Sequence, residues 1–130
     1  MRNANHHFSF LSYSVGNFFA ECMGGLEDSI VRSEKYPTRS QQLYFCQHYH
    51  ETYNKNKLLS QDEIEKLADE ANQFSLVAHL YWALWGLCQS VTSKVDFDYV
   101  LFARNRMKEY KRVKLRYLYP DRNLEKEALN

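Results

Sequence analysis

The run from Ser60 to Val91 limits the fold of this chain more than any other stretch. It opens with Ser60-Gln61-Asp62-Glu63. A hydroxyl and a carboxylate three residues apart can each accept the other's backbone N–H, and acids in a first turn sit at the positive end of a helix dipole. Apolar residues then recur at Ile64, Leu67, Ala68, Ala71, Phe74, Ala78, Tyr81, Trp82 and Trp85, with no glycine or proline before Gly86. This is helical spacing, and it predicts one long helix, or two nearly continuous ones, ending near Val91. No period-two strand pattern persists in the 130 residues. The fold class expected is all-α.

The remaining elements follow from the same rules. Val15, Phe18, Phe19, Cys22, Met23 and Leu26 make an amphipathic stripe for a first helix, loosened or ended by Gly24-Gly25. Glu27 to Tyr36 is a polar connection closed by Pro37. Thr38 stands three residues before Gln41, a capping-box spacing that opens a second helix to about Tyr53. Leu43, Cys46, Tyr49 and Tyr53 form its expected buried side. Asp96 is expected to cap a last helix carrying Phe97, Val100, Leu101, Arg104, Met107 and Tyr110 on one stripe, with Pro120 ending order and a charged tail beyond.

Composition excludes several classes. The length fits one domain or a piece of one. A 15% aromatic share, with ten tyrosines, asks for a larger core than so short a chain readily builds by itself. A formal net charge of +1 argues against nucleic acid as the main partner. Cys22, Cys46 and Cys88 are odd in number and far apart, without C-x-x-C spacing; reduced thiols and a cytoplasmic location are expected. Met1 to His7 is polar and leads into no apolar run with a cleavage site, so no signal peptide is read. Phe74 to Val91 approaches membrane-span length, but Ser75, His79 and Gln89 interrupt it, favouring a buried helix.

Within that run, His79-Leu80-Tyr81-Trp82-Ala83-Leu84-Trp85-Gly86 places two indoles three residues apart. Residues at i and i+3 share a helix face, so Trp82 and Trp85 can form adjoining walls of one pocket. Indole is the best aromatic partner for an organic cation. By spacing alone, plain core is the stronger explanation.

Four segments in order change the balance. Ser14-Val15-Gly16-Asn17-Phe18-Phe19-Ala20-Glu21 resembles the D-I-G-N-H-F-x-E helix start of the choline/ethanolamine kinases. Lys35-Tyr36-Pro37-Thr38 with Gln41-Gln42-Leu43 and Phe45 is similar to that family's K-Y-P-T-x-x-Q-Q-L-x-F. Asn72 to His79 with Trp82-Ala83-Leu84-Trp85 is similar to its N-x-F-x-L-A-S-H-x-x-W-x-L-W. Val95-Asp96-Phe97-Asp98-Tyr99 with Ala103 and Arg106 resembles its I-x-F-x-Y-x-x-Y-A-x-x-R. The likeness covers roughly residues 13–111, and the family-like region is drawn as 13–116, between an unmatched leader (1–12) and a charged tail (117–130).

The resemblance implies the helical C-terminal part of a protein-kinase-like large lobe, the part that binds the amino alcohol. The whole enzyme of that family transfers the ATP γ-phosphoryl group to choline or ethanolamine, with magnesium, towards phospholipid synthesis. Position by position, Trp82 and Trp85 fall on the tryptophans of the amine pocket and Glu21 on its balancing carboxylate. Phe102 falls on a pocket tyrosine, keeping the ring and losing the hydroxyl; a second pocket tyrosine aligns with Leu26. A trimethylammonium needs only ring faces, whereas a primary ammonium has three donors to satisfy. The lost phenols tilt slightly towards choline and leave the substrate open.

Phosphoryl transfer needs a phosphate cradle, a lysine, magnesium ligands and a base. The sequence contains neither G-x-G-x-x-G, nor a P-loop, nor H-N-D-x-x-x-x-N. In the family, that last segment and the magnesium-binding I-D-F-E-Y both precede the D-I-G-N helix, and only about a dozen residues precede Ser14 here. Val95 to Tyr99 imitates the magnesium segment but follows the tryptophan helix, which favours a helix cap. Ser14 stands where kinase-like lobes typically use an aspartate to hold the catalytic loop, and serine lacks that charge. The expectation is a truncated product, or part of an incompletely defined coding sequence, with no ATP or magnesium site of its own and no activity alone. A non-catalytic module that dimerises with a family kinase, or a stand-alone amine binder, are the alternatives.

Other constellations are weaker. His48 and His50 point to diverging helix faces, His6-His7 is expected to be solvated, and His79 reads as a satisfied core histidine. Arg104, Arg106, Lys108, Lys111, Arg112, Lys114 and Arg116 read first as a solvated helix face. Peripheral contact with an anionic membrane is the sharper alternative, and RNA ranks third.

Overall fold

The computed structural model describes residues 2–55 and 57–119, with side chains from residue 10 onwards. The elements are α1 (Arg2–Glu21), a 3-10 turn (Ser33–Lys35), α2 (Arg39–Tyr53), α3 (Gln61–Thr92) and α4 (Tyr99–Leu118). No strand occurs among the described residues. The class is all-α, in keeping with part of a kinase-like lobe.

α3 is the spine. It is one helix of 32 residues, about 48 Å long at the usual helical rise. The Ser60 hydroxyl accepts the Glu63 amide, and the Glu63 carboxylate accepts the Ser60 amide. Thr38 and Gln41 open α2 in the same reciprocal way. Both capping boxes read from the sequence are formed.

α1 lies against the first half of α3. Leu11, Val15 and Phe19 interlock there with Ile64, Leu67, Ala68 and Ala71, and Cys46 of α2 closes the cluster. The helices touch backbone to backbone at Gly16, where a Cβ would stand 2.3 Å from the Ala71 carbonyl oxygen. α4 lies against the second half of α3 at Gly86, where a Cβ would meet the Phe102 ring, the Tyr99 carbonyl and the Ala103 Cβ at 3.1–3.3 Å. Gly86 therefore does not end α3; it admits α4.

With neighbours on two sides, the buried face of α3 is broader than the predicted stripe. It includes Ser75, Leu76, His79 and Ala83, while Tyr81 is exposed. A polar thread joins the elements below: Tyr36 donates to Asn72 Oδ1 (2.7 Å), Asn72 to Gln42 Oε1 (3.0 Å), and Gln42 to the Pro37 carbonyl (2.9 Å).

Several expectations are corrected. α1 begins at Arg2, so residues 2–12 belong to a helix rather than to a separate leader, with Leu11 and Ser12 buried. It ends at Glu21, ahead of the Gly24-Gly25 turn. Cys22, Met23 and Leu26 thus leave the helical stripe, and Leu26 is exposed. On α2 the buried side is Gln42, Cys46 and His50, with Leu43 and Tyr49 half-buried against the same core, while Tyr53 is exposed. On α4 the cap is Asp98, not Asp96: its carboxylate accepts the Leu101 amide at 2.9 Å. That shift rotates the buried stripe to Phe102, Ala103, Arg106, Glu109 and Val113 and turns Val100 and Arg104 to solvent. α4 runs past residue 116 to Leu118, and Tyr117 packs near Tyr36 with ring centroids 6.2 Å apart. The side chains of His6-His7, the break expected at Pro120 and the tail from 121 lie outside the described residues.

The closest helix crossing gives a direct test. Gly16→Ala drives a methyl into the α3 backbone, and overpacking of this kind costs about 3 kcal/mol. The urea midpoint should fall accordingly with the m-value unchanged; an unshifted midpoint would show that the crossing is looser than drawn.

Candidate functional site

The residues flagged in the sequence meet where the C-terminus of α1, the second half of α3 and the start of α4 converge. Glu21 is the last residue of α1, exposed, with its carboxylate held by Asn17 Nδ2 at 2.9 Å. Trp82 is half-buried and Phe102 fully buried. Together with Met23, Gly25 and Leu26 these line a cavity of about 360 Å³. Trp85 is not among its lining residues. It stands behind the wall, edge-on to Trp82 (centroids 5.5 Å apart) and to Phe102 (6.0 Å). Of the four flagged residues, Glu21 and Trp82 open onto the cavity, Phe102 lies buried in its wall, and Trp85 buttresses both rings.

The Gly24-Gly25 turn forms the roof. Both residues have positive φ, at 70° and 109°, the region glycine adopts without strain. At Gly25 a Cβ would lie 2.9 Å from the Phe102 ring, so the turn rests directly on that ring. The Trp82 indole N–H is buried with no hydrogen-bond partner, leaving ring packing to hold the side chain.

Arg106 completes the site. Sequence reasoning counted it within a basic run read as a solvated face, yet it is only 2% exposed. One guanidinium nitrogen donates to the Ala20 carbonyl (2.8 Å) and meets His79 Nδ1 (3.3 Å); the other donates to the Gly24 carbonyl (2.7 Å). Its carbon lies 5.5 Å from the Phe102 ring centroid. A cation is favoured at the negative end of a helix dipole, and this one adds a bond to the Ala20 carbonyl in the last turn of α1 and one to the Gly24 carbonyl of the turn that follows. Burial pulls its pKa down to about 10, with Glu21 and Glu109 opposing. The signal available in the sequence was its place in the A-x-x-R spacing, four residues after Phe102.

His79 lies beneath the guanidinium and is 1% exposed. Desolvation first, and the Arg106 charge second, lower its pKa to about 4, so the ring is neutral near pH 7. Its Nδ1 faces a donor and therefore accepts, which leaves the ring proton on Nε2.

Charge separates this cavity from its neighbour. A more open groove of about 460 Å³, walled by Phe18, Phe19, Pro37, Tyr44 and Phe45, shares Cys22 and Lys35 with it but has no acid in its lining. The first cavity has Glu21 and Glu27. Arg32, also at its edge, is paired with Asp28; Arg106 keeps its charge while donating to carbonyls. The lining thus sets the two carboxylates and the Trp82 indole beside the cations Arg32, Lys35 and Arg106.

No group of three His, Cys, Asp or Glu side chains among the described residues is placed to hold a metal ion. The carboxylate of Asp98, in the segment that imitates a magnesium site, is used as the α4 cap. These residues do not fit a magnesium–ATP centre, and no step of phosphoryl transfer is assigned to them.

The sequence profile of the choline/ethanolamine kinases matches residues 6–111. The chain belongs to that family. It is 38% identical over 104 residues to a probable ethanolamine kinase A of Dictyostelium discoideum, covering 80% of this chain and 28% of that protein. To an ethanolamine kinase of Drosophila melanogaster it is 38% identical over 111 residues, covering 85% and 21%. A human choline/ethanolamine kinase is 30% identical over 112 residues, covering 79% and 28%. The chain thus spans between a fifth and a third of the length of these relatives. The kinase-family stretch includes most of α1, all of α2 and α3 and the first part of α4, and so every residue around the cavity. Among the described residues, no helix is long and apolar enough to cross a membrane.

The buried histidine makes stability depend on pH. Its folded pKa lies below the ordinary 6.5, so as pH falls the unfolded chain takes the proton first. Stability should therefore drop from about pH 6.5 towards about pH 4, by at most about 1.4 kcal/mol per pH unit from this group. His79→Gln should remove that part of the slope in urea unfolding followed between about pH 7 and pH 5. Parallel slopes for the two proteins would mean that His79 does not titrate as its burial implies.

Proposed function

We propose that this chain supplies the amine-binding side of a kinase that phosphorylates ethanolamine or choline. The observation behind this reading is that an acid at the end of α1, an indole on α3 and a buried phenyl ring on α4 line one cavity in a chain of this family. The head group's positive charge would rest against the Trp82 indole, with buried Phe102 forming the wall behind it, Glu21 as counter-charge and Trp85 bracing both rings. Ethanolamine is the preferred guest. The Dictyostelium and Drosophila relatives are both named for it, and two carboxylates at the cavity offer acceptors to a primary ammonium. These outweigh the slight tilt towards choline that the missing phenols suggested.

Calorimetric titration of the chain with ethanolamine and with choline tests the site. Ethanolamine should bind more tightly, and Trp82→Ala or Glu21→Gln should each weaken it about tenfold, the scale of a desolvated cation–π or charge contact. Absence of heat with both amines at millimolar concentration would end the proposal.

ATP and magnesium belong to the family reaction, and the sequence lacks the phosphate-cradling and catalytic-base motifs. The chain alone, given ATP, magnesium and ethanolamine, should therefore release no phosphoethanolamine. Turnover measured by phosphorus NMR would overturn that part of the reading.

A second reading, pairing with another member of the family, draws on a ladder of rings along α1 and α2. Phe18 stacks on Phe45 (4.6 Å), Phe45 on Tyr49 (5.5 Å) and Tyr49 on Tyr53 (6.5 Å), with Phe18 and Tyr53 open to solvent. Co-elution with an intact family kinase on a sizing column would support it, and separate peaks would not.

A further inference from the structure

The outer face of α4 takes no part in the cavity. With Asp98 as the cap, residues 100, 104, 108, 111, 115 and 118 fall within about 40° either side of one line along the helix. All six are exposed: Val100, Arg104, Lys108, Lys111, Leu115 and Leu118. The stripe sets three consecutive cations between aliphatic ends, Val100 on one side and Leu115 and Leu118 on the other, over about 27 Å, and contains no acid. The nearest acid in sequence, Glu109, is on the opposite, buried side and holds Arg112 through bonds of 2.9–3.1 Å. None of the three cations enters the ion pairs among the described residues, which are Arg32–Asp28, Arg39–Asp69 and Arg112–Glu109.

We infer that this stripe seats the protein on an anionic phospholipid surface, with α4 lying in the plane of the interface. A helix of this type rests with its aliphatic groups at the acyl boundary and its long basic side chains reaching back to the headgroups. Charge complementarity names the occupant: Arg104, Lys108 and Lys111 face lipid phosphates and carboxylates. The aliphatic residues set it apart from an RNA surface. A phosphate backbone has no use for Val100, Leu115 and Leu118, and the stripe holds no aromatic ring on which a base would stack. The reading is independent of the amine cavity, which lies on the other side of α4.

The test uses the whole chain and sedimentation with large vesicles of phosphatidylcholine, with and without phosphatidylserine. Binding should need phosphatidylserine and weaken as salt rises. Each cation near an anionic leaflet strengthens binding roughly fivefold, so Arg104→Glu/Lys108→Glu/Lys111→Glu should reduce it by at least about a hundredfold. Leu115→Ser/Leu118→Ser retains the charge and should still reduce binding at high salt, where the apolar contribution remains. Circular dichroism should show unchanged helix content in both variants, since all five positions are exposed. Equal binding to both vesicle types, no binding to either, or retention of the triple variant would each overturn the inference. So would a single-stranded RNA that the chain binds more tightly than phosphatidylserine vesicles.

Discussion

A single buried guanidinium ties the working end of this molecule together. Arg106 rises from α4, donates to one carbonyl in the last turn of α1 and one in the turn beyond it, and touches a histidine of α3. Burying a charge is costly unless hydrogen bonds replace the lost water, and here the Ala20 and Gly24 carbonyls replace part of it. The result is geometric. The end of α1, the glycine turn and Phe102 are held at one place, so Glu21 emerges beside the rings instead of drifting with a frayed helix end. His79 accepts the contact because burial keeps it uncharged; a protonated ring there would face a like charge.

Two glycines make that convergence possible. Gly16 lets α1 press its backbone onto α3 at Ala71, and Gly86 lets α4 press onto α3 from the other side. At both crossings the absent Cβ sets the distance between helices. A third glycine, Gly25, is required by the roof, where a positive φ and the Phe102 ring leave no room for a side chain. The chain's few glycines are therefore concentrated where the site needs close approach.

The aromatic wall is layered. Trp82 and Phe102 meet the cavity, while Trp85, in contact with both and with Tyr99, keeps their planes fixed. A ring used for cation binding works through its face and must be held by its edges, which is what perpendicular ring contacts provide. The two indoles therefore divide between a ring that lines the cavity and one that packs behind it, a division that i, i+3 spacing alone does not imply.

Much of this was legible in the sequence because local chemistry dictates it. The capping boxes at Thr38 and Ser60, the unbroken run of α3, the all-α class and the family motifs are set by residues within a few positions of one another. The misreadings all involve partners distant in the chain. Asp96 and Asp98 are equivalent caps until α4 must turn Phe102 and Arg106 towards α3, and Arg106 looks like one more surface cation until α1 brings two carbonyls to it. Gly86 is one more position in the α3 run until α4 lies across it, and Trp85 resembles Trp82 until Phe102 and Tyr99 arrive at its edges. By itself the sequence determined which segments are helical and which residue types can meet a cation. Only tertiary packing decided which faces are buried and which ring meets the cavity, because desolvation and close contact depend on groups that chain order does not place side by side.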